Sequence, residues 1–87
     1  MLFNFIIIMF YLYILYSSNI DKYYVGQTES LERRLSEHNS KKNLGASDWQ
    51  IKYVENFENR SDAVKRESEI KAKKRRTYIE WLIANVG

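Results

Sequence analysis

Seven consecutive residues, Phe10 to Tyr16 (FYLYILY), are all aromatic or aliphatic. The run is too short for a buried helix and is followed by turn residues, Ser17-Ser18-Asn19-Ile20-Asp21, so it predicts a strand. Side chains alternate along a strand, which sends Tyr11, Tyr13 and Leu15 to one face and Leu12, Ile14 and Tyr16 to the other. Both faces are apolar, so both need cover, and the strand must be central in its sheet. Lys22 to Gln27 is the return strand of a hairpin. Gly26 stands at its far corner, where a missing side chain permits close approach of another backbone or of a phosphate.

The remaining elements follow from punctuation and period. Thr28 is a candidate N-cap, with Glu29 in the first turn, for a helix running to about Asn39. Leu31 and Leu35 make its buried stripe, and Arg34 and His38, also four apart, share the neighbouring one. Ser40 to Asp48 reads as a polar loop. From Trp49 to Phe57 the pattern alternates, with Trp49, Ile51, Tyr53 and Phe57 expected on one side of a third strand. Ser61 is a candidate N-cap for a helix over Ala63 to Lys71. Thr77 to Val86 is a last helix whose expected buried stripe is Tyr78, Trp81 and Leu82, with Trp81 in the core. The order strand, strand, helix, strand, helix, helix predicts an α+β domain with a small, mostly antiparallel three-stranded sheet flanked by helices.

At 87 residues the chain has room for one domain, and a domain this small buries only about 60% of its unfolded surface. The absence of cysteine excludes a disulfide framework and a thiolate metal site, and fits a cytoplasmic location. Residues 1 to 8 match nothing downstream. The apolar run Met1 to Tyr16 is shorter than the roughly twenty residues of a spanning helix and lacks the basic start and small-residue cleavage site of a signal. Residues 1–8 are therefore expected to be an extension or an over-called start, with the domain over 9–87. A membrane partner is not expected; a tether through the apolar start is the alternative.

The net charge of +3 is unevenly spread: Arg60 to Arg76 holds eight basic and three acidic residues, which leaves the rest of the chain at −2. A basic segment on a near-neutral body points to a polyanion. Lys73, Lys74, Arg75 and Arg76 are its densest part, and Lys41 and Lys42 in the polar loop are further candidates for a phosphate backbone. The plain alternative is a solvated helix face.

One carboxylate is out of place. Ala63, Glu67 and Ile70 are spaced i, i+4, i+7, which sets an acid within an apolar stripe. A buried charge is costly unless it is paired or holds a metal. Glu67 is therefore either a metal ligand or the partner of a core-edge arginine, for which Arg34 is the candidate. Glu69 lies off the stripe. Likewise, Arg34 and His38 taken alone would be a surface cation and a helix C-terminal residue favoured by the macrodipole.

Taken together, these residues resemble the GIY-YIG nuclease domain. Tyr11-Leu12-Tyr13 stands for the family's first tripeptide, with Tyr11 where the name-giving glycine would be. Tyr24-Val25-Gly26 stands for the second. Arg34 follows Gly26 by eight residues, His38 follows Arg34 by four, and AVKRESEIK resembles the helix that supplies the family's metal-binding glutamate, which falls on Glu67. The resemblance runs from about Phe10 to Ile83. It is to the small single-domain bacterial members and to the N-terminal catalytic domain of excision-repair nucleases.

The resemblance implies a metal-dependent DNA endonuclease that hydrolyses phosphodiester bonds, in repair, recombination or a mobile element. It implies catalytic roles for Tyr13, Tyr24, Arg34, His38 and Glu67. Glu67 would hold one Mg²⁺ or Mn²⁺, Arg34 would stabilise the phosphate, the two tyrosines would position the water, and His38 would assist proton transfer. Gly26, Lys41, Lys42, Lys73, Lys74, Arg75 and Arg76 are the expected DNA contacts. Gln27 stands where some relatives have lysine. A non-catalytic nucleic-acid-binding module is the alternative; protein partners and oligomeric state are left open.

Overall fold

The computed structural model of the chain describes residues 8–86. Its elements are β1 (Phe10–Ser17), β2 (Lys22–Thr28), α1 (Leu31–Ser40), β3 (Gln50–Phe57), α2 (Arg60–Lys73) and α3 (Arg76–Val86), with a short 3-10 turn at Asn43–Gly45. The sheet has the order β2-β1-β3, and both pairings are antiparallel. The architecture is thus the expected α+β arrangement, and the apolar β1 is the central strand. The expected extension falls largely on residues outside those described; of its members Ile8 is seen, with its side chain exposed.

Two apolar layers cover β1. Leu12 and Ile14 pack with Val25, Tyr53, Ile70 and Leu82, under α2 and α3. Tyr13 and Leu15 pack with Ala46 and Trp49, and with the partly buried Tyr24, Leu31, Leu35 and Ile51, under α1 and the loop after it. Alternation along β1 therefore divides the molecule into a helical-pair side and a site side.

The third strand departs from the expected pattern. Ile14 pairs with Tyr53, but Leu15 pairs with Ile51, so β3 carries one extra residue at that point. Such a bulge moves the following side chains to the opposite face. Trp49 and Ile51 consequently join the α1 side, while Tyr53 and Phe57 join the α2–α3 side. The four residues do not share a side.

Trp81 is also not in the core: it is 56% exposed. Leu82 is buried, with Ile79 and Ile83 packed beside it. Two residues of helix turn a side chain to nearly the opposite side, so Trp81 points away from the stripe that Ile79 and Ile83 define.

The caps lie near the expected places but on other residues. Ser30, not Thr28, caps α1, with its hydroxyl accepting from the Arg33 N–H; the Thr28 hydroxyl accepts from the Ser30 N–H at 3.1 Å. Asn59, not Ser61, caps α2 by accepting from the Asp62 N–H at 2.9 Å. Lys74 ends α2 in the left-handed conformation, φ 51°.

Candidate active site

Strand register sets the first tyrosine over the glycine of the second tripeptide. Tyr13 pairs with Gly26 across the β1–β2 ladder. A Cβ built on Gly26 would stand 2.5 Å from Tyr13 Oη and 2.6 Å from its Cζ. The bare backbone of Gly26 is therefore occupied by a phenol, and its glycine is explained by that ring rather than by an approaching phosphate. Tyr24, two residues earlier on the same face, stacks on Tyr13 with centroids 6.3 Å apart.

Helix α1 delivers the histidine and the arginine. His38 is buried, its ring 4.5 Å from that of Tyr24 and edge-on to it. Its Nε2 lies 3.2 Å from Tyr13 Oη, and Asn43 Nδ2 lies 2.8 Å from its Nδ1. An amide nitrogen donates, so Nδ1 accepts, and the neutral ring carries its proton on Nε2 and donates it to Tyr13. Asn43 is held in turn by the loop. Trp49 Nε1–H donates to the Asn43 carbonyl at 3.1 Å, and the Asn39 side chain accepts from the Trp49 N–H at 2.7 Å and donates to its carbonyl at 3.2 Å.

Arg34 lies half-exposed, paired with Glu37 at 3.2 Å, and the nearby Tyr13 phenol and Glu37 carboxylate raise its pKa. Burial pushes the Tyr13 phenol up to about 12; the Tyr24 phenol and the Glu67 carboxylate add to this and Arg34 opposes it. Burial, and then the positive charge of Arg34, lower the pKa of His38. At neutral pH the site thus holds a protonated Tyr13 phenol and a neutral imidazole.

Glu67 reaches the same neighbourhood from α2. Its charge acts on Tyr13, and its side chain is 24% exposed. Lys71, one turn on, binds Glu67 Oε2 at 2.6 Å, and the same ammonium lies 6.0 Å from the Tyr24 ring centroid. The arginine partner considered for Glu67 is therefore replaced by a lysine on its own helix. Lys71 and Asn43 are the residues that sequence reasoning missed. The i, i+4 spacing from Glu67 could have found Lys71, whereas nothing in the loop sequence marks Asn43. Among the described residues no group of three or more His, Cys, Asp or Glu side chains stands ready for a metal.

The expected DNA-contacting cations divide. Lys41 lines a hollow of about 210 Å³ with Arg34, His38 and Asn43, whereas Lys42 is not part of its lining and adopts φ 50° at the start of the 3-10 turn. Lys74, Arg75 and Arg76 line a groove of about 380 Å³ along β2, which also includes Lys22 and Lys71. Arg76 is pinned there, to Asp21 at 2.5 Å and Glu80 at 3.4 Å. Lys73 is the last residue of α2 rather than a residue beyond it, and its ammonium lies over the Tyr78 ring, away from that groove. Gln27 accepts from Arg60 at 2.9 Å.

The GIY-YIG catalytic domain matches residues 9–79. The chain belongs to the GIY-YIG family. No curated protein and no solved structure matches it significantly. Membership makes this a domain of a nuclease family; of the residues that carry the family resemblance, Tyr24 and His38 lie against Tyr13, and Arg34 lines the hollow that His38 also lines. No helix among the described residues is long and apolar enough to cross a membrane.

Proposed function

We propose that this GIY-YIG domain is a divalent-metal-dependent DNA endonuclease whose catalytic residues are Tyr13, Tyr24, Arg34, His38 and Glu67. The observation that carries the reading is convergence: α1 and α2 pack on opposite sides of the sheet, yet His38 of α1 meets both tyrosines while the Glu67–Lys71 pair of α2 brings its ammonium to 6.0 Å from the Tyr24 ring centroid. A binding module would need the cationic groove but not a carboxylate beside a buried phenol–imidazole pair.

Hydrolysis of a phosphodiester needs a positioned water, neutralisation of the charge that develops on the phosphoryl oxygens, and a proton for the leaving oxygen. Arg34 supplies fixed donors for the phosphoryl oxygens. Tyr24 is only partly buried and is the phenol that meets solvent, so it positions the water. Tyr13, protonated at neutral pH, accepts from His38 and offers its own proton at the site. His38, held by Asn43, fixes that phenol and its proton.

Glu67 is the residue that would hold the metal. A single carboxylate suits Mg²⁺ or Mn²⁺, which keep several waters and take further ligands from the substrate's phosphate. Such an ion supplies Lewis-acid stabilisation of the charged phosphoryl group.

The test is cleavage of single-stranded, nicked, branched and duplex DNA with Mg²⁺, with Mn²⁺ and with EDTA, by the parent, Arg34→Ala and Glu67→Gln proteins. Metal-dependent cleavage is expected, with turnover lowered by roughly 10² or more in Arg34→Ala and abolished in Glu67→Gln. Binding of DNA without cleavage in any metal would replace the enzyme with the binding module.

A further inference from the structure

A second hollow, of about 580 Å³, lies at the α2–α3 junction, where Lys73, Arg75, Tyr78 and Trp81 line it. Tyr78 and Trp81 stack with centroids 6.1 Å apart and an interplanar angle of 21°. The indole is more than half exposed, and Lys73 Nζ stands 5.5 Å from the Tyr78 ring centroid. The charged residues lining the hollow are both cationic. An aromatic face that meets protein is normally surrounded by a charge-depleted core. Here flat rings sit among cations, which matches a partner that is flat, aromatic and anionic at once: a nucleotide.

The hollow adjoins the groove along β2. Arg75 lines both, and the groove also contains Lys71, the ammonium on Glu67. The left-handed turn at Lys74 is what sets Lys73 on one side of this ridge while Lys74 stays on the other.

We propose that Tyr78 and Trp81 form a stacking platform for an unpaired base of a DNA strand that leaves the groove along β2 over Arg75. The substrate class is then DNA with a single-stranded segment adjoining duplex. This rests on the nuclease reading above and extends it to the shape of the substrate. In an intact duplex the base faces are stacked on one another, so the platform has nothing to take from it.

The full chain is titrated in EDTA, without cleavage, with two labelled probes: a blunt duplex and the same duplex carrying a single-stranded overhang. Trp81→Ala is expected to weaken overhang binding by about tenfold, on the scale of one base–aromatic stack, and blunt-duplex binding by less than about twofold. Trp81→Phe keeps most of the overhang affinity. The overhang also quenches tryptophan emission in the parent but not in Trp81→Ala, because the remaining Trp49 is buried. Equal loss on both probes, or no loss on either, overturns the platform. So does emission of the free chain that acrylamide does not quench, since another segment would then cover the indole. A parent dimer that Trp81→Ala dissociates would assign the face to a second copy and overturn it as well. If cleavage is absent in every metal while the overhang preference follows Trp81, the nuclease reading fails and the platform stands. Cleavage without that preference is the reverse case.

Discussion

Gly26 lies beneath the phenol of Tyr13, so close that a methyl group there would stand 2.5 Å from the hydroxyl oxygen. The neighbour is an aromatic ring that is 2% exposed and cannot swing aside. Gly26→Ala is therefore expected to destabilise the domain by about 1–3 kcal/mol through overpacking. It should also lower single-turnover cleavage at least as far as Tyr13→Phe does, because it moves the hydroxyl off His38. Denaturant midpoints and single-turnover rates of both variants test this. A Gly26→Ala protein that cleaves like its parent would show that the placement of the Tyr13 hydroxyl is not needed.

That relationship shows where sequence reading reached and where it stopped. The doubly apolar β1, its central place and the spacing from Gly26 to Arg34 and His38 are local patterns, and the structure brings those residues together. The reason for the glycine was not legible, since it depends on which residue pairs with it across the ladder. The division of Trp49 and Ile51 from Tyr53 and Phe57 was hidden for the same reason: a bulge is a property of two strands, not of one. Trp81 misled because an aromatic in a short amphipathic helix is assigned to the core by its type, while Ile79, Leu82 and Ile83 already fill the inward stripe. The basic run read as one surface, but a single left-handed residue, Lys74, divides it.

His38 is the chain's one histidine, so its titration is separable. Its pKa in the folded protein is lowered, by burial and then by Arg34. Below the ordinary value of about 6.5 the unfolded chain binds the proton more readily than the folded one, so stability is full above that pH and declines as pH falls through it. Parent denaturation midpoints are expected to drop between pH 7 and pH 5 (roughly, around the free histidine value), and those of His38→Gln to stay nearly level over that window. Glu29, which Arg60 and its backbone bonds hold down at about 2, loses its contribution only at lower pH. A parental decline that survives in His38→Gln would assign it to another group.

Lys71 holds the oxygen of Glu67 that a cation would otherwise share. The pair is partly exposed, so it contributes about 0.2–1 kcal/mol and no more. Lys71→Ala should thus leave the fold in place and lower the Mg²⁺ concentration needed for half-maximal cleavage at saturating DNA by about two- to fivefold. Glu67→Gln should also fold, with cleavage gone. A higher Mg²⁺ requirement in Lys71→Ala would mean that ammonium and metal ion act on Glu67 together rather than in turn.

The groove along β2 makes a separate prediction about duplex binding. Lys74 and Arg75 line it with no salt-bridge partner among the described residues, whereas Arg76, in the same groove, is bound to Asp21 and Glu80. A guanidinium already neutralised by two carboxylates has little left for a phosphate. Replacing Lys74 and Arg75 together by alanine should weaken binding across all DNA sequences and flatten the slope of log K against log salt by up to about 1.8, at roughly 0.9 for each phosphate that is no longer neutralised. Arg76→Ala should leave that slope nearly unchanged and instead lower stability, because Arg76 also donates to the Asp21 carbonyl at 3.0 Å and lies over the Tyr23 ring at 5.1 Å, tying the hairpin turn to α3. Salt titrations of duplex binding, run beside denaturation of each variant, separate the two roles. A slope that falls in Arg76→Ala and stays level in the double variant would move the phosphate track off Lys74 and Arg75 and onto the β1–β2 turn.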